Sequence, residues 1–370
     1  MAFIKSIDIS QFRGIQQLTI SDLSSINIIV GDNNSGKTTF LEAIQLLFAK
    51  PHLSAIRSII NQRTLLNPDK GFYTSFIKMF NIEEKNNLEF SIHADSNNGP
   101  IKFKVKGYET TVSGEEAVQK ARLSRSYGFA VGKILDYIPE TAKMFNGDIF
   151  SQIGDIQKKG SISCTSMDRT VRFPGISSKE LNYISSFGHL RFDLLKNIVD
   201  NPEYKKLAID ILRQFDNSIA DICYTKADDG SYMESIITNN GVNMPFSVYG
   251  DGIKKILYIL NKLFDATDSI LMIDEIETGL HKKYYDTLFP VIFALANKLN
   301  VQLFIATHSI EAIDAILRYG DYEDTDNNDP IRVITLKKIE SDNGSNIAAR
   351  NVTGKYVYDN RKVFEFEVRL

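Results

Sequence analysis

The chain has 370 residues, of which 43% are hydrophobic and 24% charged, and only two of them are cysteines, Cys164 and Cys223. These values are typical of a globular protein, and they exclude a disulfide framework and a cysteine-based metal cluster. The net charge of −3 does not favour a nucleic-acid-binding protein, and no run of 18 apolar residues predicts a membrane span.

The first predicted elements are two short strands on either side of Phe12-Arg13-Gly14. Residues 4–9 alternate between apolar and polar side chains, and residues 18–20 form a second short apolar run. The start of the chain lacks the apolar core of a signal peptide, and few cysteines are typical of a reducing compartment. We therefore expect a cytoplasmic protein that does not contact a membrane.

A phosphate-binding loop follows a third predicted strand. Residues 26–30 are apolar and mostly β-branched, residues 31–39 read Gly-Asp-Asn-Asn-Ser-Gly-Lys-Thr-Thr, and apolar residues at helical spacing continue to residue 48. Strand, glycine loop and helix are the context in which this motif binds a nucleotide polyphosphate. Lys37 is expected to reach the β- and γ-phosphates of ATP, and Thr38 to coordinate Mg²⁺. The predicted nucleotide contacts of the loop are Gly31, Asn33, Asn34, Ser35, Gly36, Lys37, Thr38 and Thr39.

Residues 88–93 and 101–106 predict a β-hairpin with a lysine face. Lys102, Lys104 and Lys106 share one side of the second strand. Two interpretations stay open. The lysines protect an exposed edge strand, or they form a cationic strip that faces DNA phosphates.

Residues 108–240 are the least informative part of the sequence. Helical periodicity over 115–138, 190–198 and 204–215 predicts an inserted helical lobe, and residues 219–224 and 233–238 predict a pair of strands.

A second glycine motif lies at residues 245–255. Ser247, Gly250 and Gly252 precede a predicted helix at 256–264, so this segment is either a helix cap or a second anion site.

Two buried strands then end in polar residues. Residues 269–273 lead into Asp274 and Glu275, and residues 302–306 lead into Thr307 and His308. In a parallel sheet these ends lie beside the phosphate loop. Asp274 is expected to bind Mg²⁺ through its water shell, and Glu275 to act as the general base for the attacking water.

These blocks, in this order, resemble the ATP-binding-cassette (ABC) ATPases of the RecF, SMC and OLD (overcoming lysogenisation defect) group. The resemblance rests on Phe12-Arg13-Gly14, the phosphate loop, residues 245–264, residues 269–281 and Ala-Thr-His-Ser at 306–309. It implies an α/β fold, an ABC-type P-loop ATPase head with an antiparallel β subdomain and an inserted helical lobe.

The resemblance also implies roles for individual residues. Glu275, Lys37 and His308 would be catalytic, with His308 bound to the γ-phosphate. Ser247, Gly250 and Gly252 of one subunit would complete the ATP site of a second subunit. A glutamine that senses Mg²⁺ and nucleotide is also expected, and Gln152 and Gln157 are both candidates.

We expect one ATPase unit over residues 1–370. Within it we predict an N-terminal lobe with the phosphate loop at 1–107, the insert lobe at 108–240, a lobe with the second glycine motif, the acids and His308 at 241–320, and a closing segment at 321–370. The acidic loop at 321–329 lacks a preceding apolar strand, so we interpret it as a solvated loop and not as part of a TOPRIM nuclease.

The resemblance implies an ATPase that uses ATP and Mg²⁺ and forms a homodimer or a higher homo-oligomer. The favoured hypothesis is a regulatory subunit of a bacterial anti-phage system with a separate effector protein, a TOPRIM or HNH nuclease or a toxin. A RecF-like DNA-repair ATPase is the alternative, and a scaffold that hydrolyses ATP very slowly is a third hypothesis.

Overall fold

The computed structural model describes most of the chain. The described residues are 4–63, 72–81, 87–124, 138–167, 182–190, 194–227, 229–320, 322, 329–341 and 344–364. Most of the acidic loop at 321–329 and of the predicted helix at 115–138 beyond residue 124 lie outside them. Within the described residues, no helix is long and apolar enough to cross a membrane.

The strands form two six-stranded sheets and one three-stranded sheet. The strands are β1 (Ile4–Phe12), β2 (Ile15–Ile20), β3 (Ile26–Val30), β4 (Leu88–Ser96), β5 (Gly99–Ser113), β6 (Thr141–Ile153), β7 (Ile156–Thr165), β8 (Tyr183–Ile184), β9 (Ile219–Lys226), β10 (Tyr232–Thr238), β11 (Asn243–Pro245), β12 (Ile270–Asp274), β13 (Gln302–Ala306), β14 (Ile331–Ser341) and β15 (Gly344–Thr353).

Helices cover the faces of these sheets. The helices are α1 (Lys37–Leu47), α2 (Leu53–Arg63), α3 (Phe72–Ile77), α4 (Gly114–Ser124), α5 (Lys196–Val199), α6 (Pro202–Leu212), α7 (Asp251–Asp265), α8 (Tyr285–Lys298), α9 (Ile310–Leu317) and α10 (Gly354–Phe364).

The core sheet has the order β15-β14-β3-β13-β12-β8, and all of its strands except β15 run parallel. Every residue of β3, β12 and β13 is buried. Side chains of successive residues point to opposite faces, and both faces are covered, which explains why these strands are apolar almost throughout. The carboxyl ends of β3, β12, β13 and β8 therefore meet at one edge of the sheet.

Two hydrophobic cores lie on the two faces of the core sheet. Phe40 of α1 and Phe304 of β13 belong to the core shared with the antiparallel N-terminal sheet, whose order is β2-β1-β4-β5-β6-β7. Helices α6 to α9 contribute to the core on the other face. Helix α1 is thus enclosed between two sheets, and the loop that precedes it is held at a fixed position on the sheet edge.

Two of the three lysines on the lysine face of β5 are paired with one acid on the neighbouring strand β4. Glu89 lies 2.6 Å from the Nζ of Lys104 and 3.4 Å from that of Lys106. The predicted hairpin is confirmed by the antiparallel pairing of β4 and β5. Because the carboxylate offsets these charges, the strip offers DNA phosphates less attraction than the sequence pattern suggests.

The insert over 108–240 differs from the predicted helical lobe. The difference is the long β6–β7 hairpin, which extends the N-terminal sheet. The predicted pair of strands at 219–224 and 233–238 is confirmed as the β9–β10 hairpin, and helices α4 to α6 lie in the same insert. The β6–β7 hairpin closes through Gly154 and Asp155, with Gly154 at φ 56°, so that Ile153 faces Ile156. A two-residue turn of this kind favours a β-hairpin. The alternation of apolar and polar residues in the flanking strands outweighs any tendency of this stretch to form a helix.

Candidate nucleotide-binding site

The phosphate loop follows β3 and ends at the first turn of α1. Gly36 is the N-cap residue of α1 with φ 100°, and no side chain caps the helix there. An uncapped helix start after a glycine loop is a place where backbone N–H groups bind an anion. The Nζ of Lys37 donates to the carbonyl oxygens of Gly31 at 2.7 Å and of Asp32 at 2.9 Å, so the ammonium group lies inside the loop.

The β14–β15 hairpin packs directly on this loop. A Cβ atom added to Gly36 would lie 2.3 Å from the Cδ1 of Ile347, and one added to Gly31 would lie 2.3 Å from the carbonyl oxygen of Leu336. Both glycines also have positive φ angles, 146° at Gly31 and 100° at Gly36. Backbone conformation and the neighbouring hairpin thus both require glycine at these two positions.

A hydroxyl–carboxylate pair joins the loop to β12. The Oγ1 of Thr38 donates to the Oδ2 of Asp274 at 2.9 Å, and the Tyr183 hydroxyl donates to the same oxygen at 2.9 Å. Asp274 is 6% exposed. No sequence pattern indicates Tyr183, because β8 is only two residues long and no motif surrounds it.

Two glutamates follow Asp274, Glu275 and Glu277, and they contact different partners. The Oε2 of Glu275 accepts a hydrogen bond from the Thr278 hydroxyl at 3.1 Å, and Glu275 has a positive φ of 49°. Glu277 faces the end of β13: its Oε2 accepts from the Thr307 hydroxyl at 2.8 Å, and its Oε1 lies 3.0 Å from the Nδ1 of His308. Glu277 lies within the segment 269–281 that carries the resemblance, but nothing in its spacing indicates a contact with His308.

Two lysines lie close to these acids, the half-buried Lys37 and the buried Lys255. Burial lowers the pKa of Lys37, and Asp274, Glu275 and Glu277 oppose that shift. Burial lowers the pKa of Lys255 on α7 to about 8, against the same three carboxylates. Lys255 is fully buried, with its Nζ 3.4 Å from the carbonyl oxygen of Ser186.

The second glycine motif lies at the surface, at the start of α7. Gly250 is the N-cap residue without a capping side chain, and Ser247 and Gly250 are exposed. Gly252 is half-buried, and a Cβ added to it would lie 3.6 Å from the carbonyl oxygen of Gly279. Among the described residues, the polar contact recorded for Ser247 is its carbonyl oxygen with the Nζ of Lys254 at 3.5 Å. The motif is thus open to solvent.

Neither glutamine candidate lies at the carboxyl edge of the core sheet. Gln152 and Gln157 pair across the β6–β7 hairpin near its turn, in the N-terminal sheet, and the Gln152 side chain donates to the carbonyl oxygen of Gly154. The strand beside β12 is β8, and the residues that follow it are Ser185 and Ser186. The stretch that contains both candidates has no clear periodicity, so the sequence does not indicate their place in the fold.

The residues present fit a magnesium–nucleotide complex. A buried carboxylate, Asp274, and a hydroxyl, Thr38, share a hydrogen bond, and oxygen atoms of this kind are the ligands that Mg²⁺ prefers. In the part of the chain that the structure describes, no group of three His, Cys, Asp or Glu side chains could hold a metal by itself. A magnesium ion bound by one or two protein oxygens together with phosphate oxygens agrees with this donor set.

Comparisons with known proteins support this interpretation. Residues 3–127 match the family model "AAA ATPase domain", and residues 163–314 match "AAA domain, putative AbiEii toxin, Type IV TA system". An ATP/GTP phosphatase of Helicobacter pylori is 24% identical over 340 residues, which cover 86% of this chain and 90% of that protein.

Two further likenesses are more limited. The RecF DNA replication and repair protein of Idiomarina loihiensis is 51% identical over 45 residues, 12% of this chain and 13% of that protein. The SMC head bound to the C-winged helix domain of ScpA is 12% identical, with a TM-score of 0.47, and the match covers 96% of this chain and 99% of that chain. The fold described above stands on its own strand order and not on this last likeness.

The phosphate loop, the acids after β12 and the histidine after β13 meet at one edge of the core sheet, and both matching family models are ATPase domains. The chain is therefore a P-loop ATPase, and its residues 3–127 and 163–314 are similar to AAA domains.

Proposed function

We propose that the chain hydrolyses ATP to ADP and phosphate at the carboxyl edge of the core sheet. The observation that carries the proposal is the 2.9 Å hydrogen bond between Thr38 and Asp274, which joins the phosphate loop to the acidic strand end. ABC-type chemistry requires these two elements side by side, because one holds the phosphates and the other supplies the carboxylates.

The loop residues bind the phosphates. Backbone N–H groups at the uncapped start of α1 and the ammonium of Lys37 are the donors. In the structure Lys37 donates to two neutral carbonyl groups, of Gly31 and Asp32. Charge-assisted hydrogen bonds to phosphate oxygens are stronger than bonds to carbonyls, so we expect Lys37 to exchange these partners for the β- and γ-phosphates.

Thr38 and Asp274 hold Mg²⁺ in this proposal, and Tyr183 orients the Asp274 carboxylate through its hydroxyl. Mg²⁺, when bound, supplies positive charge that offsets the charge of the transferred phosphoryl group. Residues that orient a metal ligand are needed to keep it in the correct geometry.

Glu275 is the proposed general base. Its carboxylate is half-buried and follows directly after Asp274, so it lies at the same sheet edge as the loop. The Thr278 hydroxyl holds one carboxylate oxygen, which leaves the other to accept a proton from the attacking water. His308, at the end of the next strand, is the proposed contact for the γ-phosphate.

We propose that Ser247, Gly250 and Gly252 act on the nucleotide of a second molecule. The exposure of Ser247 and Gly250, and the uncapped start of α7, support a role at an interface between subunits. Two chains placed head to tail would each present this anion-binding helix start to the phosphate loop of the other. The assembly is then a homodimer or a higher homo-oligomer whose closure depends on ATP.

Replacement of the base tests the hydrolysis mechanism. Glu275→Gln is expected to lower the rate of phosphate release by about 10²- to 10⁴-fold, because the amide cannot accept the proton. ATP binding and ATP-dependent dimerisation, followed by light scattering, should persist. Glu203→Gln, an exposed acid in the first turn of α6, is the matched control and should keep the wild-type rate. Wild-type turnover by Glu275→Gln would contradict the assignment of the base.

For the biological role we propose an ATP-driven regulatory subunit of an OLD-like anti-phage system. Support comes from residues 163–314, because the family model that they match is described for a toxin of a toxin–antitoxin system. A separate effector, a nuclease or a toxin, would act when the ATPase signals. The prediction is that the chain with its neighbouring gene reduces phage plaques, and that Glu275→Gln in the chain removes this protection. Unchanged plaque counts in cells that carry both genes would contradict it.

The RecF-like alternative has narrower support. The RecF proteins of Idiomarina loihiensis and Teredinibacter turnerae match 12% and 22% of the chain, and two of the three lysines of the β5 strip are paired with Glu89. A DNA-repair ATPase should show strong stimulation of turnover by gapped DNA. We expect little stimulation, and a large one would favour the alternative over the defence role.

A further inference from the structure

One carboxylate connects the ends of β12 and β13. Glu277 lies three residues after Asp274, and its side chain is 10% exposed, whereas that of His308 is 49% exposed. The Oε1 of Glu277 accepts from the backbone N–H of His308 at 3.0 Å and lies 3.0 Å from its Nδ1. The Oε2 accepts from the hydroxyl of Thr307. Glu277 thus contacts two consecutive residues of the neighbouring strand end through three groups.

These contacts determine which ring nitrogen of His308 is available. An ionised carboxylate only accepts hydrogen bonds, so the Nδ1 that faces Glu277 must carry the hydrogen. The second nitrogen, Nε2, is then the one left for other partners. Because the same Oε1 also holds the backbone N–H of His308, the ring and its backbone are fixed by one acceptor.

We propose that Glu277 is a positioning residue for His308, which fixes the tautomer of the ring and directs Nε2 toward the nucleotide. The inference rests on the proposed role of His308 at the γ-phosphate. Glu277 itself is not proposed to contact the substrate. Its effect on turnover passes through His308.

Glu277 also lies near other charged groups of the site. Its charge opposes the lowering of the pKa of both Lys37 and Lys255 by burial. A loss of activity after removal of Glu277 could therefore come from these lysines. The test must separate that route from the one through His308.

A double-mutant cycle makes this separation. Turnover at saturating Mg²⁺ and ATP is measured for the wild type, Glu277→Ala, His308→Ala and the double variant. We expect each single change to lower kcat by about 10- to 100-fold, as misplacement of a reacting group does. The double variant should be no slower than His308→Ala alone, because residues that act as a unit are not additive.

If the fold-losses in kcat of the two single variants multiply in the double variant, the inference is overturned, since Glu277 then acts independently of the histidine. Wild-type turnover by His308→Ala would instead refute the proposed role of His308. Wild-type turnover by Glu275→Gln is the separate outcome that refutes the hydrolysis mechanism, so the failures of the two proposals can be distinguished.

A conservative variant addresses the geometry. Glu277→Gln keeps an acceptor oxygen for the backbone N–H and the Nδ1 of His308, so kcat should stay within a few-fold of wild type. A loss as large as that of Glu277→Ala would overturn positioning by hydrogen bonds. Affinity for a fluorescent ATP analogue and the melting temperature are measured for every variant, to confirm a folded site. The matched control is Glu311→Ala, an exposed acid on the adjacent α9 that should leave kcat unchanged.

Discussion

Gly36→Ala would place a methyl group between the phosphate loop and the β14–β15 hairpin. The change has two costs. An alanine at φ 100° is strained by about 1–2 kcal/mol, because its Cβ approaches the following carbonyl oxygen. The new Cβ would also lie 2.3 Å from the Cδ1 of Ile347, and overpacking of this kind costs about 1–3 kcal/mol. We expect a destabilised chain and weaker binding of ATP.

The second cost can be removed without the first. Ile347→Val deletes the Cδ1 atom, and the nearest remaining atoms of that side chain lie 3.5 and 3.6 Å from the added Cβ. By itself Ile347→Val should cost about 0.5–1.5 kcal/mol. In the double variant with Gly36→Ala, the stability lost to overpacking should be regained, which is a favourable coupling of about 1–3 kcal/mol. Only the cost of the backbone strain should then remain.

Urea unfolding of the four proteins in the cycle measures this coupling, and the affinity for a fluorescent ATP analogue reports on the loop itself. Ile334→Val is the matched control: the residue is fully buried on the neighbouring strand β14, and its shortening should not relieve Gly36→Ala. Additive changes in the Gly36/Ile347 pair, or equal rescue by the control, would refute the conclusion that the hairpin restricts the loop.

Three further predictions follow from single contacts. Arg13→Ala removes the cation 2.7 Å from the buried carboxylate of Glu42 and should lower the free energy of unfolding by about 3–5 kcal/mol in urea titrations; a loss under 1 kcal/mol would contradict this. Tyr183→Phe removes a donor to Asp274 and should raise the Mg²⁺ concentration for half-maximal turnover about 10-fold, and an unchanged Mg²⁺ dependence would argue against a metal role for this carboxylate. Burial lowers the pKa of Lys255 to about 8, so between pH 8 and 10.5 the unfolded chain binds a proton that the folded chain does not. The unfolding free energy of the wild type should therefore rise with pH across that window relative to Lys255→Met, by up to about 3 kcal/mol, and parallel curves would contradict the shift.

The parts of the fold that the sequence predicted are those with strong local signals. Strands β3, β12 and β13 are apolar on both faces, and the glycine motif between β3 and α1 occurs in its required context. Each of these elements is confirmed at nearly its predicted position. Local patterns suffice here because the elements that bind phosphate or form the centre of a parallel sheet constrain their own sequence.

The parts that the sequence did not predict depend on distant partners. Tyr183 contributes to the site through a strand of two residues, and Ile347 reaches Gly36 from the other end of the chain. Glu277 was visible in the sequence, but its partner His308 lies on a different strand end. No periodicity encodes such contacts, since they arise only when the strand order is known. The assigned roles of the catalytic residues remain predictions.

The position of β3 has a consequence for synthesis on the ribosome. Ile28 in the middle of β3 pairs with Ile305 on one side and with Val333 on the other. The loop that holds the phosphates is translated well before β13 and β14, the two strands that flank β3, and long-range pairing of this kind is slow. A nascent chain should therefore gain the ability to bind ATP only after β14 has left the exit tunnel. Nucleotide capture would then mark the completion of folding, and products of premature termination would not compete for ATP.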